Sequence, residues 1–189
     1  MKNMTLITPS EWLAGLVRQS FLRCYPIEVR HNTVDKYVFK PTPSDFREKH
    51  GLQDKMIILG VSNIWVKTKG LDDLIELSLK LRSQSDKYQV VIVGLSDKQI
   101  KRINTTSPEI LALPRTDDAA HLAEIYTVAD VFVNPSKQET FGMTTLEALS
   151  CGTQAIVYEG TACEEVARMY GGIVVEPGVE NIYDWIVSG

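Results

Sequence analysis

The sequence predicts an α/β fold: an open parallel sheet of about six strands with helices on both faces. Two observations carry that expectation. Short, near-continuous apolar runs recur through the middle and end of the chain, and amphipathic helical periods alternate with them. A strand covered on both faces reads as unbroken apolarity, whereas a strand with one wet face alternates. Strand and helix in this rhythm build right-handed βαβ units.

The elements follow in chain order. "TPSEWLAGLVRQSFLR" (8–23) reads as a helix capped by Thr8 or Ser10, with Leu13, Leu16, Val17 and Phe21 on one face. A short strand, "IEVRHN" (27–32), and a proline-punctuated link, "KPTPSDF" (40–46), come next. This opening reads as the tail of another domain with its linker (1–40), ahead of a domain spanning 41–189. That second domain begins with the strand "KMIILGV" (55–61). Its first helix, over 69–83, has Leu71, Leu74, Ile75 and Leu79 inward and Asp72, Asp73, Glu76 and Lys80 toward water. "YQVVIVG" (88–94) is a strand and "ILAL" (110–113) a weaker one. A helix over 117–128 repeats the spacing with Ala119, Leu122, Ala123 and Tyr126, before the strand "DVFVN" (130–134). Leu146 and Leu149 mark a helix from about Gly142, and "QAIV" (154–157) a strand. Val166 and Met169 mark a helix over 162–170, and "GIVV" (172–175) the last strand. No internal repeat or low-complexity segment is present.

Composition narrows the function classes. The 189 residues are 44% hydrophobic, enough for a sizeable core. A net charge of −4 and the lack of a basic stretch argue against nucleic acid as a partner. No apolar run approaches the roughly 18 residues of a membrane span, and "MKNMTLITPSEW" lacks the apolar segment of a secretory signal. Cys24, Cys151 and Cys163 are odd in number and far apart, without metal-ligand spacing. Free buried thiols in a reducing cytoplasm are the expectation, with no metal or disulfide.

In an open α/β sheet, ligands bind beyond the carboxyl ends of the strands. The loops leaving those ends are "SNIWVKTKG", Leu95-Ser96, "PRTDD", "PSKQETFG" and "YEGTACEE". Phe141, Gly142, Met143 and Thr144 open a helix, so their amide hydrogens lack intrahelical acceptors and attract an anion. Gly142 admits a ligand close to the backbone. Glu139 precedes that helix mouth, and Glu147, in the second turn, leans back toward it. Two carboxylates would repel a phosphate, but they suit hydroxyl groups on either side of one. A sugar, a diphosphate and a ribose in a row is the ligand this arrangement describes.

At this point "ETFGMTTLEALSCGTQAIV" resembles the E-x7-E signature of retaining GT-B glycosyltransferases, the family 4 type. "ADVFVNPS" ahead of it, the Lys-Gly start of "KGLDDLIEL" and the interdomain segment "HNTVDKYVFKP" agree with that family in the same order. The resemblance covers about Ile7 to Val175 and implies two Rossmann-like domains, of which this chain carries the C-terminal, nucleotide-sugar-binding one. It implies that Lys69 meets the donor diphosphate, Glu147 the ribose hydroxyls and Glu139 the transferred sugar as the catalytic residue. The backbone of Phe141, Gly142, Met143 and Thr144 would meet sugar hydroxyls or phosphate, and Arg115 and Thr116 of "LPRTDD" the base.

The donor implied is a UDP- or GDP-sugar, used without a cofactor or metal, with the anomeric configuration retained. The family's arginine ahead of Lys-Gly is absent from "SNIWVKTKG", and Lys67 is the candidate substitute. Thr161 and Cys163 stand where Gly-Gly-x-Pro-Glu is more usual, and Thr33 stands at the linker glycine. The N-terminal acceptor-binding domain is missing except for its tail, and the chain stops soon after the last strand. The expectation is therefore a fragment, inactive alone, of a cytoplasmic enzyme of polysaccharide or glycoconjugate biosynthesis. Its full-length form would be free to work peripherally at the inner membrane face on a lipid-linked or polysaccharide acceptor. A non-catalytic nucleotide- or sugar-binding module is the alternative.

Overall fold

The computed structural model describes residues 4–188. A first unit of β1 (Leu6–Thr8), α1 (Glu11–Arg18) and β2 (Ile27–Val29) forms its own two-stranded parallel sheet, with Leu6 opposite Ile27. The main unit follows as α2 (Phe46–Lys49), β3 (Met56–Val61), α3 (Leu71–Gln84), β4 (Tyr88–Val93), α4 (Asp97–Thr106) and β5 (Leu111–Leu113). It continues through α5 (Ala119–Val128), β6 (Val131–Asn134), α6 (Met143–Ser150), β7 (Gln154–Tyr158), α7 (Ala162–Tyr170), β8 (Ile173–Val175) and α8 (Val179–Ser188). Its six strands are all parallel in the order β5-β4-β3-β6-β7-β8.

Each strand serves two cores, which is why the apolar runs are continuous. Ile58 packs with Leu74, Leu77, Ile156, Ile182 and Ile186 under α3 and α8. Its neighbours Ile57 and Leu59 turn to the opposite face, against Ala123, Tyr126, Phe132 and Ala148 of the α5 and α6 side. The period-two alternation of a strand thus distributes one sequence run between two layers. β3 pairs with both β4 and β6, so the strand order reverses there and opens a crevice at their C-terminal ends.

Several expectations are corrected in phase. On α3 the buried stripe is Leu71, Leu74, Leu77, Ser78 and Leu81, while Leu79 is 52% exposed. At about 100° per residue Leu79 lies roughly 140° round the axis from Leu74, away from the sheet. Asp73, expected in water, accepts from the Tyr158 hydroxyl (2.9 Å) and pairs with Lys137 (3.1 Å). Met169 and Ala119 are likewise exposed. α7 buries Ala162, Cys163, Val166 and Ala167 instead, and α5 buries Ala123, Ile125 and Tyr126.

α1 is capped by Ser10 and ends before Phe21, which is 87% exposed. Its buried contact is the small Ala14, so α1 lies close to α7 while Leu16 points outward. Cys24 is exposed, and only Cys151 and Cys163 are buried thiols. β1, α2, α4 and α8 have no counterpart in the elements expected from the sequence. For α4 a signal existed: Ser96 and Gln99 form a reciprocal capping box ahead of a mostly polar helix. Among the described residues, no helix is long and apolar enough to cross a membrane.

Candidate functional site

The crevice is built where β3 and β6 end. Asn134, the last residue of β6, is buried and organises the turn that follows. Its side-chain oxygen accepts from the Ser136 hydroxyl (2.6 Å) and amide (3.2 Å), while its amide group donates to Thr145 Oγ1 (3.0 Å). The chain is thereby folded back so that α6 starts over the end of β6. Gly142 enters that helix at φ 92°, and no side chain caps it. A Cβ there would lie 2.7 Å from Cys163 Sγ, so glycine is required by both conformation and space. Among the described residues, the Met143 and Thr144 amides have no acceptor, as expected of an uncapped start.

On the β3 side, a short 3-10 turn over Lys67–Lys69 ends at Gly70, also left-handed at φ 74°. The turn leans on the segment after β6, where the Lys137 amide donates to the Thr68 carbonyl (2.8 Å). This contact brings together two residues far apart in sequence: the Lys69 ammonium is ion-paired with the Glu139 carboxylate.

Two adjoining cavities open here. The first, about 300 Å³, is lined by Lys69, Glu139, Phe141 and Gly142, with Asn32, Asn134 and Ser136. The second, about 470 Å³, is lined by Glu147, Arg115 and Thr116, with Phe39, Asp117 and Asp118. Met143, Thr144, Val61, Ser62 and Asn63 belong to both. The start of α6 therefore stands at their junction, with one glutamate on each side. Phe141 is itself buried against Leu146 and Val166, so it offers the crevice mainly backbone. Lys67 is exposed and lines neither cavity, because the turn directs it outward.

Glu147 accepts a hydrogen bond from the Tyr126 hydroxyl (3.0 Å). Burial pushes its carboxyl above the ordinary glutamate value, while the bond from Tyr126 pulls the other way. The phenol of Tyr126 is itself raised well above its usual value, by burial first and by the Glu147 charge second. Beneath the helix start, burial pushes the Cys163 thiol up to about 12, with Glu139 adding to the effect. Such a thiol stays protonated and acts as packing.

Ser62, Asn63, Asn134, Ser136, Asn32 and Phe39 are site residues that the sequence does not mark out, and Tyr126 reads there only as a packing position of its helix. The first two directly follow the β3 run, and that position at the carboxyl edge is the signal available for them. Tyr126 carries a polar handle within an apolar stripe, which asks for a partner.

An open parallel sheet with its crevice at the switch point, in this strand order, is a doubly wound Rossmann-like sheet, and its structural neighbours are GT-B glycosyltransferases. Sucrose-phosphate synthase from Thermosynechococcus elongatus superposes with a TM-score of 0.82 at 21% identity, covering 97% of this chain and 48% of that one. The Anabaena protein HepE, solved in complex with UDP and glucose, superposes at 0.74 and 20% identity, covering 96% and 52%. The chain belongs to the family Glycosyl transferases group 1, which it matches over residues 43–186. Among curated relatives, alpha-galactosylglucosyldiacylglycerol synthase of Streptococcus pneumoniae is 32% identical over 135 residues, covering 64% of this chain and 34% of that protein. The chain thus spans about a third of that relative and about half of the two solved structures.

Proposed function

We propose that this chain is the donor-binding domain of a retaining glycosyltransferase, holding a nucleoside diphosphate sugar across its two cavities. The observation that carries the reading is the shared helix start between them. Amides of Met143 and Thr144 sit at the junction, Glu139 with Lys69 opens into one cavity, and Glu147 into the other. A diphosphate at the amides would place the sugar beside Glu139 and the nucleoside beside Glu147, with Arg115 and Thr116 toward the base. HepE, an architectural neighbour, is described with UDP and glucose bound, which agrees with that ligand class. In transfer, Lys69 and the amides would take up negative charge developing on the leaving diphosphate. Glu139 would then exchange its bond to Lys69 for the hydroxyls of the sugar. No metal is called for by this reading. Residues 1–40 are read as the tail and linker of an acceptor-binding domain, so that transfer itself requires the longer protein. Acceptors of polysaccharide or glycoconjugate assembly suit the relatives' names.

One observation favours the alternative of a non-catalytic module. Among the described residues, the cations lining the two cavities are Lys69 and Arg115, against Glu139, Glu147, Asp117 and Asp118. With Lys67 directed away, such a crevice holds a diphosphate less strongly than one with a free cationic clamp.

Calorimetric titration with UDP and GDP tests donor binding, and turnover by a longer form carrying the preceding domain separates enzyme from module. Lys69→Ala is expected to weaken UDP about tenfold to a hundredfold, the range of a charge-assisted bond, and uridine by less than about twofold. No affinity for either diphosphate at millimolar concentration refutes the donor reading. Equal losses for UDP and uridine refute the role of Lys69.

A further inference from the structure

We infer that Tyr126 is a positioning residue for the nucleotide cavity, its hydroxyl holding one oxygen of Glu147 so that the other is presented to the ligand. This rests on the proposed reading of Glu147 as acceptor for the ribose hydroxyls.

The geometry has three parts. The Tyr126 ring is fully buried and held edge-on by Phe132 (5.6 Å, 77°) and Phe39 (6.3 Å, 62°). Its backbone carbonyl is also tied, by the hydroxyl of Thr153. The hydroxyl is therefore a fixed post reaching from the core to the crevice. A phenol has one proton to give, and it goes to Glu147 Oε2 at 3.0 Å. Glu147 Oε1 has no hydrogen-bond partner among the described residues, although Glu147 lines the second cavity.

A glutamate side chain has three rotatable torsions, and a single fixed donor removes most of that freedom before the ligand arrives. The bond also keeps the group an acceptor. Burial favours protonation of Glu147, and Tyr126 opposes it. The other groups around Glu147 are the Cys151 thiol one turn on, and Arg115, Asp117 and Asp118 lining the same cavity. Tyr126 is the group bonded to the carboxylate, and it comes from α5, an element with no other hydroxyl on that oxygen.

The test uses uridine and guanosine, which carry no phosphate to titrate, measured by calorimetry from pH 4 to 8. Tyr126→Phe is expected to weaken nucleoside binding about tenfold at pH 7 and to move the half-point of affinity against pH upward. In a Glu147→Gln background, the same change should cost less than about twofold, since the interaction it removes is already altered. If Tyr126→Phe does not fold, 3-fluorotyrosine at position 126 decides. As a stronger donor it should retain affinity and move the half-point downward.

A half-point unmoved by either replacement overturns the positioning role, even if thermal stability falls. If Glu147→Gln itself leaves nucleoside affinity unchanged, the ribose reading fails and this role fails with it. If Glu147→Gln weakens binding while Tyr126→Phe matches wild type, the positioning role alone fails. Binding of neither nucleoside by wild type overturns both.

Discussion

Replacing Gly142 with alanine probes the helix start on which the crevice depends. The backbone there sits at φ 92°, and an added Cβ would stand 2.7 Å from Cys163 Sγ and 3.4 Å from Cys163 Cα. A side chain in the left-handed region costs about 1–2 kcal/mol, and overpacking a tight site adds about 1–3 kcal/mol. The thiol has little room to yield, because Cys163 is fully buried and Asn134 donates to it at 3.3 Å. The sum, roughly 2–5 kcal/mol, corresponds to a fall in Tm of about 4–20 °C for a domain of this size. α6 should also shift its first turn by some tenths of an ångström, misaligning the Met143 and Thr144 amides. UDP affinity should then drop by more than about tenfold, as hydrogen bonds to a charged phosphate are lost. Thermal melts read the first effect and calorimetry the second. Adding Cys163→Ala should recover the steric part of the Tm loss and leave the backbone part. If Gly142→Ala melts within a degree of wild type and binds UDP equally well, the helix start is not built as argued.

Two further outcomes are expected. Burial raises the Glu165 carboxyl, but bonds from the Glu11 and Trp12 amides and from His31 outweigh it and hold the group below its ordinary value. Its folded value is the lower one, so its stabilisation is present above about pH 4.3, the unfolded value, and is lost as pH falls through the folded value. Docking of α1 on α7 should therefore loosen in acid, read by Trp12 emission with a Trp12→Phe blank. Glu165→Gln should abolish that step, and an unchanged acid transition in the variant refutes the assignment. On α3, Leu77→Ala should cost about 3 kcal/mol in urea unfolding, since it leaves a cavity in a closed core, whereas Leu79→Ala should stay within about 0.5 kcal/mol. Equal losses would contradict the phase of the helix.

Much of the architecture was legible because it depends on local pattern. "MIILGV" and "YQVVIV" are apolar without alternation, and both faces of their strands are covered. Helix phase was less legible. Leu71, Leu74, Ile75 and Leu79 satisfy one helical spacing, but the same segment also offers Leu77 and Leu81, and the two sets compete. Packing against the sheet and α8 kept Leu71, Leu74 and Ile75, added Leu77 and Leu81, and left Leu79 outside. α4 carries little periodic signal, because Ile100 and Ile103 anchor an otherwise polar helix and its cap is the strongest mark it has.

The candidate site divides in the same way. The sequence alone determined that Glu139 and Glu147 flank a glycine-led helix start, and that Lys69 belongs to a loop at the same sheet edge. These are matters of spacing along one chain. Only the tertiary structure decided that the two glutamates open into different cavities, that Lys69 is held by Glu139, that Lys67 faces away, and that Tyr126 grips Glu147. Those pairings join elements brought together by strand order and layer packing. The Tyr126–Glu147 bond depends on how α5 packs on α6 and the Lys69–Glu139 pair on the adjacency of β3 and β6, which no run of neighbouring residues encodes.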